Sequence, residues 1–483
     1  AVSGIESHKR VCHTPELHAS LDEPVRWQPR SWEKSYSPDD FYGGTLKGIE
    51  QKLPYLKELG IGVVYLNPIV EARSNHRYDT SDYSRPDPIL GTMEDFEHLC
   101  AEGEKQGIRF ILDGVYSHTG ADSRYFNRCG NYGTEGACQG ESSEFYSWYD
   151  FRHFPDDYRC WWGFKDLPEV NEQNPKWQDD IVTGDRSIVK HWLRHGAAGW
   201  RLDVADELPD AILALIRGAA KSVKPDAPII GEVWEDAVTK ESYGSRRNYA
   251  LGYSLDSVMN YPLRSAVLSF MHGWSDAYGL RDFLVSQQMN YPKPLYYSLM
   301  NLLGSHDVDR LRTALAADRN LRELSREDQL RYEFSDESLS RALRQARLCA
   351  TIQFAIPGVP SIYYGDEQGM CGVCDPFNRL PFKEGEQELH DWYAQLANMR
   401  NSADAFSTGH AQFMAATRDV LLILRWISDG HDAFGDAAEN GAYLAVINRG
   451  AAEVHYRADC SAAGCGTVEG TAEPVSAKII RIK

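Results

Sequence analysis

Seven residues of types that do acid–base chemistry stand at the ends of short apolar runs. They are Asp113 and His118 in DGVYSH, Arg201 and Asp203 in GWRLDVADE, Glu232 in GEVW, and His306 and Asp307 in LLGSHD. Arg201 and Asp203 are two residues apart, so on a strand both side chains leave the same face. One such carboxylate is as compatible with a core ion pair or a helix cap as with catalysis. A whole set gathered at one place stacks like charges, which is costly without a use. The chemistry that wants such a set is glycoside hydrolysis, in which one carboxylate attacks and one carboxylic acid protonates the leaving oxygen. Two carboxylates in unequal environments supply both roles. Arg201 beside Asp203 favours the ionised nucleophile. Glu232 follows the apolar PIIG and precedes Val233 and Trp234, so an apolar setting that raises its pKa is expected, as a general acid requires.

The elements that must position these groups alternate. Apolar, β-rich runs fall at 61–69, 108–116, 199–205, 228–234, 255–260, 301–307 and 359–367. Helical patterns lie between them, among them 44–60, 92–107 and 185–196. Alternation of this kind implies an α/β fold with a parallel sheet covered by helices, and seven such strands suggest a (β/α)8 TIM barrel. Residues at the C-terminal ends of barrel strands converge on one site. An eighth strand should precede the helix that begins near Thr45. The first 40 residues instead read as polar and irregular, with Pro15, Pro24, Pro29 and Pro38. Between DGVYSHTG and DRSIVKHW lies a long segment rich in Gly, Tyr, Trp and Cys, too long for an ordinary loop and expected to be a small domain inserted after strand 3. Beyond about residue 403, LLILRWISD, GAYLAVINR and SAKIIRIK read as antiparallel strands of a C-terminal β-sandwich. The expected division is 1–116 and 181–402 for the barrel, 117–180 for the insertion and 403–483 for the sandwich.

Composition narrows the partners. The 483 residues carry a net charge of −19 and no run of Lys or Arg, which argues against nucleic acid. No apolar run is long enough to span a membrane. The 12 Trp and 26 Tyr suit stacking on sugars, although large cores use aromatics too. Cys371 and Cys374 form a lone CxxC with no second pair at zinc-site spacing. Cys129/Cys138 and Cys460/Cys465 are spaced for local disulfides, with free thiols the equal alternative. The chain begins with Ala1, so it is read as part of a larger chain. Disulfides and a polymer-derived substrate would place it outside the cytoplasm. The sequence carries no signal for oligomeric state.

The motifs resemble the signatures of the α-amylase family, family 13 of the glycoside hydrolases. DGVYSH resembles the first, GWRLDVADE the second, GEVW the third and LLGSHD the fourth, while DLPEVN (166–171) resembles the extra signature of the inserted domain. All occur in the family's order, and the resemblance covers about residues 40–400. It implies that Asp203 is the nucleophile, Glu232 the acid/base and Asp307 the residue that grips hydroxyls of the distorted sugar. Arg201 would orient Asp203. His118 and His306 would bond sugar hydroxyls, and Tyr78 would stack under the ring with Asp79 buttressing it. Asp375 and Arg379, in DPFNRLPF, would contact sugars on the non-reducing side. GEVWEDA and DLPEVNE look most like the neopullulanase, cyclomaltodextrinase and amylopullulanase branch, in which Trp234 would line the acceptor side. Trp161 and Trp162 fall in the same region, or else form the core of the inserted domain.

The implied activity is hydrolysis of α-1,4-glucosidic bonds, and α-1,6 bonds in addition, in starch-derived oligosaccharides, pullulan or cyclodextrins, by double displacement. Transglycosylation to another sugar is the alternative, and a non-catalytic carbohydrate-binding relative is a more distant one. No cofactor is required. Ser117 stands where relatives commonly carry a calcium-binding Asn, and a hydroxyl is a weaker ligand for a hard cation. The reading therefore expects no metal there and leaves the inserted segment as the place for a structural calcium. Ser305 replaces a common Asn, and Asp206 stands where many relatives of the branch have Asn. Asp206 and Glu207 would lie toward the acceptor subsites.

Overall fold

All seven apolar runs become strands, each shorter than its run. The computed structural model describes residues 16–28 and 38–483. Contacts divide the described residues between two units, one drawn from Ala1–Lys57, Ile61–Val233 and Glu241–Asp256, the other from Glu58–Gly60, Trp234–Lys240 and Ser257–Lys483.

In the first unit Val63–Leu66, Arg109–Gly114, Gly199–Leu202 and Ile229–Gly231 lie side by side in parallel. Their register carries the chemistry. Asp113 sits opposite Arg201, and Leu202 opposite Gly231, so Asp203 and Glu232 emerge at one level just past the paired ends. The Asp203 N–H donates to Gly114 O at 3.1 Å and the Glu232 N–H to Leu202 O at 3.0 Å, which fixes both residues. Helices pack on the sheet through apolar faces. Asp210–Val223 buries Ile212, Leu213 and Ile216, and Met93–Lys105 starts from a capping box between Thr92 and Asp95. The helix expected over 44–60 is two, Leu46–Gln51 and Leu53–Glu58. Pro54 has no N–H to continue the hydrogen-bond ladder across the junction. The strand expected ahead of Thr45 falls partly outside the described residues. Glu16–Leu17 pairs with Asp40–Phe41 for two residues in a separate sheet, and Val63 at the outer edge of the main row is 44% exposed.

Residues 117–180 are held by bridges His118–Glu169, Tyr149–Val170 and Cys160–Pro168 and by a hairpin of Phe151–His153 with Asp157–Tyr158. Tyr125 stacks on Trp148 at 5.2 Å, and Phe126 meets Tyr149 and Tyr158 edge-on. The local disulfides do not form. Cys129 is disulfide-bonded, but Cys138, Cys460 and Cys465 are free thiols. Cys460 is a small apolar member of the C-terminal core.

In the second unit Met300–Leu302 pairs in parallel with Val359–Ser361, and the 20-residue helix Asp336–Ala355 buries ten side chains near its C-terminal half. The C-terminal strands are antiparallel as expected. His410–Ala415, Val420–Ile427, Gly441–Asn448 and Ser476–Arg481 form one sheet in that order. Val454–Asp459 and Thr467–Ala472 form a hairpin. Leu422, Leu424, Leu444 and Val446 of the sheet share a core with Tyr456, Ala458 and Ala472 of the hairpin. Among the described residues no helix is long and apolar enough to cross a membrane.

Candidate active site

Arg201 is the hub of the first unit's site and is fully buried. Its Nη1 lies 2.9 Å from Asp113 Oδ1 and 3.0 Å from Asp203 Oδ1, and its Nη2 lies 2.8 Å from Glu232 Oε2. Burial pulls the guanidinium down, and the charges of Asp113 and Glu232 outweigh it, holding Arg201 well above its ordinary value. Burial raises the Asp113 carboxyl, opposed by Arg201 and by hydrogen bonds from Tyr65 and Tyr78. Those two hydroxyls both donate to Asp113 Oδ2, Tyr78 at 2.9 Å, and the Arg201 guanidinium lies 5.7 Å from the Tyr65 ring centroid.

Glu232 is not in the apolar pocket expected from its neighbours. Its Oε2 faces Arg201 and accepts the Val204 N–H at 2.8 Å. The reason lies one residue past Asp203: Val204 has φ 37° and ψ 63°, left-handed backbone that a β-branched residue rarely adopts. That twist turns the Val204 N–H onto Glu232, so the chain is strained directly behind one carboxylate to serve the other.

Asp79 is not the brace of Tyr78. It accepts from the Ser74 N–H at 3.2 Å and from the Ser74 hydroxyl, closing the turn ahead of Tyr78; the hydroxyl of Tyr78 is held by Asp113 instead. His118 is turned inward. Its Nε2 donates to Tyr78 O at 3.0 Å, which leaves Nδ1 to accept from the Ser117 hydroxyl at 3.0 Å. Burial lowers its pKa to about 4, so the ring is neutral. Ser117, where relatives commonly carry a calcium-binding Asn, thus has its hydroxyl on His118.

The second unit holds the remaining residues. His306 Nε2 lies 3.1 Å from Asp307 Oδ2, and Tyr261 donates to the same oxygen at 3.3 Å. Arg379 lies 3.8 Å from Asp307 Oδ1 and 3.2 Å from Asp375 Oδ1, and donates to His306 O at 3.1 Å. Asn378 fastens the strand end by donating to His306 O at 2.9 Å and Val308 O at 2.8 Å. Gly304 in LLGSHD is required by crowding: a Cβ there would lie 2.2 Å from Asp366 Oδ2. Trp234 is 44% exposed and stacks on Tyr261, with ring centroids 4.0 Å apart and planes 7° apart. Tyr65, Tyr261 and Asn378 were missed by sequence reasoning: Tyr65 sits inside an apolar run and reads as core, whereas Tyr261 just past the run 255–260 and Asn378 within DPFNRLPF belong to no pattern of their own.

Trp161 and Trp162 stack on each other at 4.9 Å, and Trp162 is 72% exposed rather than core. Its Nε1 donates to Glu207 Oε1 at 3.2 Å, and Tyr243, 75% exposed, donates to the other oxygen of Glu207. Asp206 accepts from Tyr249 at 2.5 Å. One carboxylate therefore fixes two exposed aromatic rings.

Residues 26–420 match the family described as alpha amylase, catalytic domain. The chain is 39% identical over 453 residues to an amylopullulanase of Thermoanaerobacter thermohydrosulfuricus, an alignment that covers 86% of this chain and 29% of that protein. It is 31% identical over 435 residues to neopullulanase 2 of Thermoactinomyces vulgaris, covering 86% of this chain and 67% of the relative. In fold it is similar to the cyclic alpha-maltosyl-(1→6)-maltose hydrolase of Arthrobacter globiformis, with a TM-score of 0.76, 27% identity and coverage of 96% and 95% of the two chains. The chain belongs to the α-amylase family, and its fold is that family's (β/α)8 barrel with a C-terminal β domain. It spans less than a third of the length of the amylopullulanase.

Proposed function

We propose that the protein is a retaining α-glucan hydrolase acting on α-1,4 bonds, and on α-1,6 bonds as well, in starch-derived oligosaccharides, pullulan or cyclodextrins. The observation that carries this reading is the single buried guanidinium shared by Asp203 and Glu232. Two carboxylates on one guanidinium are close neighbours, as the retaining mechanism requires of its pair. Asp203, held ionised by Arg201, attacks the anomeric carbon while Glu232 gives its proton to the leaving oxygen. Glu232 then takes a proton from water, which displaces Asp203 from the sugar and restores both groups. Asp307, His306, Arg379 and Asp375 bind sugar hydroxyls, and Tyr78 stacks under the sugar at the point of cleavage. Asp113, Tyr65 and His118 position Arg201 and Tyr78 rather than touch the sugar, and Asp79 closes the turn ahead of Tyr78. Residues 117–180 form the inserted domain, and the aromatics on Glu207 belong to its acceptor side.

Those two exposed rings favour a second reading, in which a sugar rather than water accepts the glycosyl unit. The deciding experiment is a product profile from maltoheptaose, pullulan and β-cyclodextrin for wild type and Asp203→Asn. Short maltooligosaccharides or panose from wild type, with turnover at least about 10³-fold lower in the variant, support the hydrolase. Products longer than the substrate support transglycosylation. Undiminished turnover by Asp203→Asn would sink both.

A further inference from the structure

Trp274 is 78% exposed, far more than an indole that serves only packing. It stands in the turn between the helices Tyr261–His272 and Ala277–Asn290 of the second unit. One face of its ring is already backed: His272 stacks on it with centroids 4.6 Å apart and planes 20° apart. The His272 ring is fixed in turn by a hydrogen bond from Nε2 to Ala314 O at 3.0 Å, and burial lowers its pKa. The indole is therefore held flat with its other face outward.

Trp274 borders a cavity of about 500 Å³, lined also by Asp276, Arg418, Asp419 and Arg449. Arg418 Nε lies 3.1 Å from Asp276 Oδ2, and Arg449 Nε lies 2.9 Å from Asp419 Oδ1. Arg449 is anchored by a hydrogen bond to Ser275 O at 2.7 Å and lies over the Phe270 ring at 4.5 Å. Two anions face two cations, so the cavity balances its charge and suits an uncharged ligand. Arg418 is the exposed member of these pairs, so its donors can turn from Asp276 to a ligand at little cost. A rigid apolar face beside paired donors and acceptors is complementary to a sugar, which offers a C–H face to the indole and adjacent hydroxyls to carboxylate and guanidinium.

We propose that this cavity is a second carbohydrate site, separate from the catalytic residues, that holds an α-glucan chain on the protein surface. The choice of α-glucan rests on the proposed function; the sugar chemistry of the cavity does not. The test uses the full chain in native gels cast with amylopectin, with hydroxyethyl cellulose or with no polysaccharide. Asp203→Asn supplies the background, so that the gel is not digested. Adding Trp274→Ala is expected to weaken retention by amylopectin at least about threefold, with no change in the other two gels. Trp274→Tyr should recover most of the retention, and Arg418→Ser should lose part of it. In the otherwise wild-type chain, Trp274→Ala should leave maltoheptaose turnover within about twofold and the melting midpoint unchanged. Retention that ignores Trp274→Ala overturns the site, and so does a loss equal in all three gels. A wild type that hydrolyses no α-glucan, yet is retained by amylopectin through Trp274, removes the proposed function and leaves the site standing.

Discussion

Arg201 and Arg379 both hold carboxylates, at different depths. Arg201 is wholly buried and binds three of them at 2.8–3.0 Å. Arg379 has 23% of its side chain exposed and meets Asp375 at 3.2 Å and Asp307 at 3.8 Å. A buried charge stripped of a partner has no water to turn to, so the first cluster stands or falls as a unit. The second is partly exposed and more loosely held, so its ion pairs are more readily traded for sugar hydroxyls. The contrast matches the proposed division of labour. A nucleophile must already be in place when the substrate arrives, whereas a residue that grips a substrate must let go of something to do so.

Arg201→Lys should break the comparison most severely. One ammonium cannot span Asp113, Asp203 and Glu232 as the two-pronged guanidinium does. We expect at least about a 10³-fold loss of turnover on maltoheptaose and about 3 kcal/mol of stability lost in urea melts. A variant that keeps its stability would show that the cluster is not the unit described.

The next effect concerns His118, which braces Tyr78 beside the Arg201 cluster. Burial holds its folded pKa at about 4, against an ordinary 6.5. Between those values the unfolded chain binds a proton that the folded chain refuses. His118 therefore penalises stability progressively as pH falls from about 6.5 toward 4, by up to about 3 kcal/mol, and not above that window. His118→Asn should have a flatter stability curve between pH 7 and 4.5. Equal slopes for variant and wild type would remove His118 as the cause.

The smallest effect belongs to the more exposed cluster. Arg379→Lys should raise the KM for maltoheptaose about tenfold, equivalent to about 1.4 kcal/mol of binding, with kcat and the melting midpoint nearly unchanged. A fall in kcat as large as that of Arg201→Lys would erase the distinction between the two regions.

Much of this was legible beforehand. The seven strand runs stand out because buried parallel strands are apolar throughout, and the signature motifs sit at their ends because barrel sites are built there. The two helices within 44–60 could have been read from Pro54. Other features were hidden. The setting of Glu232 looked apolar because Ile229, Ile230, Val233 and Trp234 surround it in sequence. In space its oxygen meets Arg201, 31 positions away, and an N–H aimed by the backbone of Val204. Asp79 next to Tyr78 suggested a buttress, yet the hydroxyl of Tyr78 reaches Asp113, 35 residues on. Cys129 and Cys138 suggested a loop disulfide, which Cys138 does not make.

The sequence by itself determined the family and the kinds of group available, because each signature is a short run whose residue types and order are its content. Only the tertiary structure decided what those groups touch. The register of three strands sets Asp113 against Arg201 and brings Asp203 level with Glu232. The packing of one helix end stands Trp274 on His272 at the rim of a polar cavity. Charge state, orientation and exposure come from neighbours distant along the chain, and no local pattern of residues encodes them.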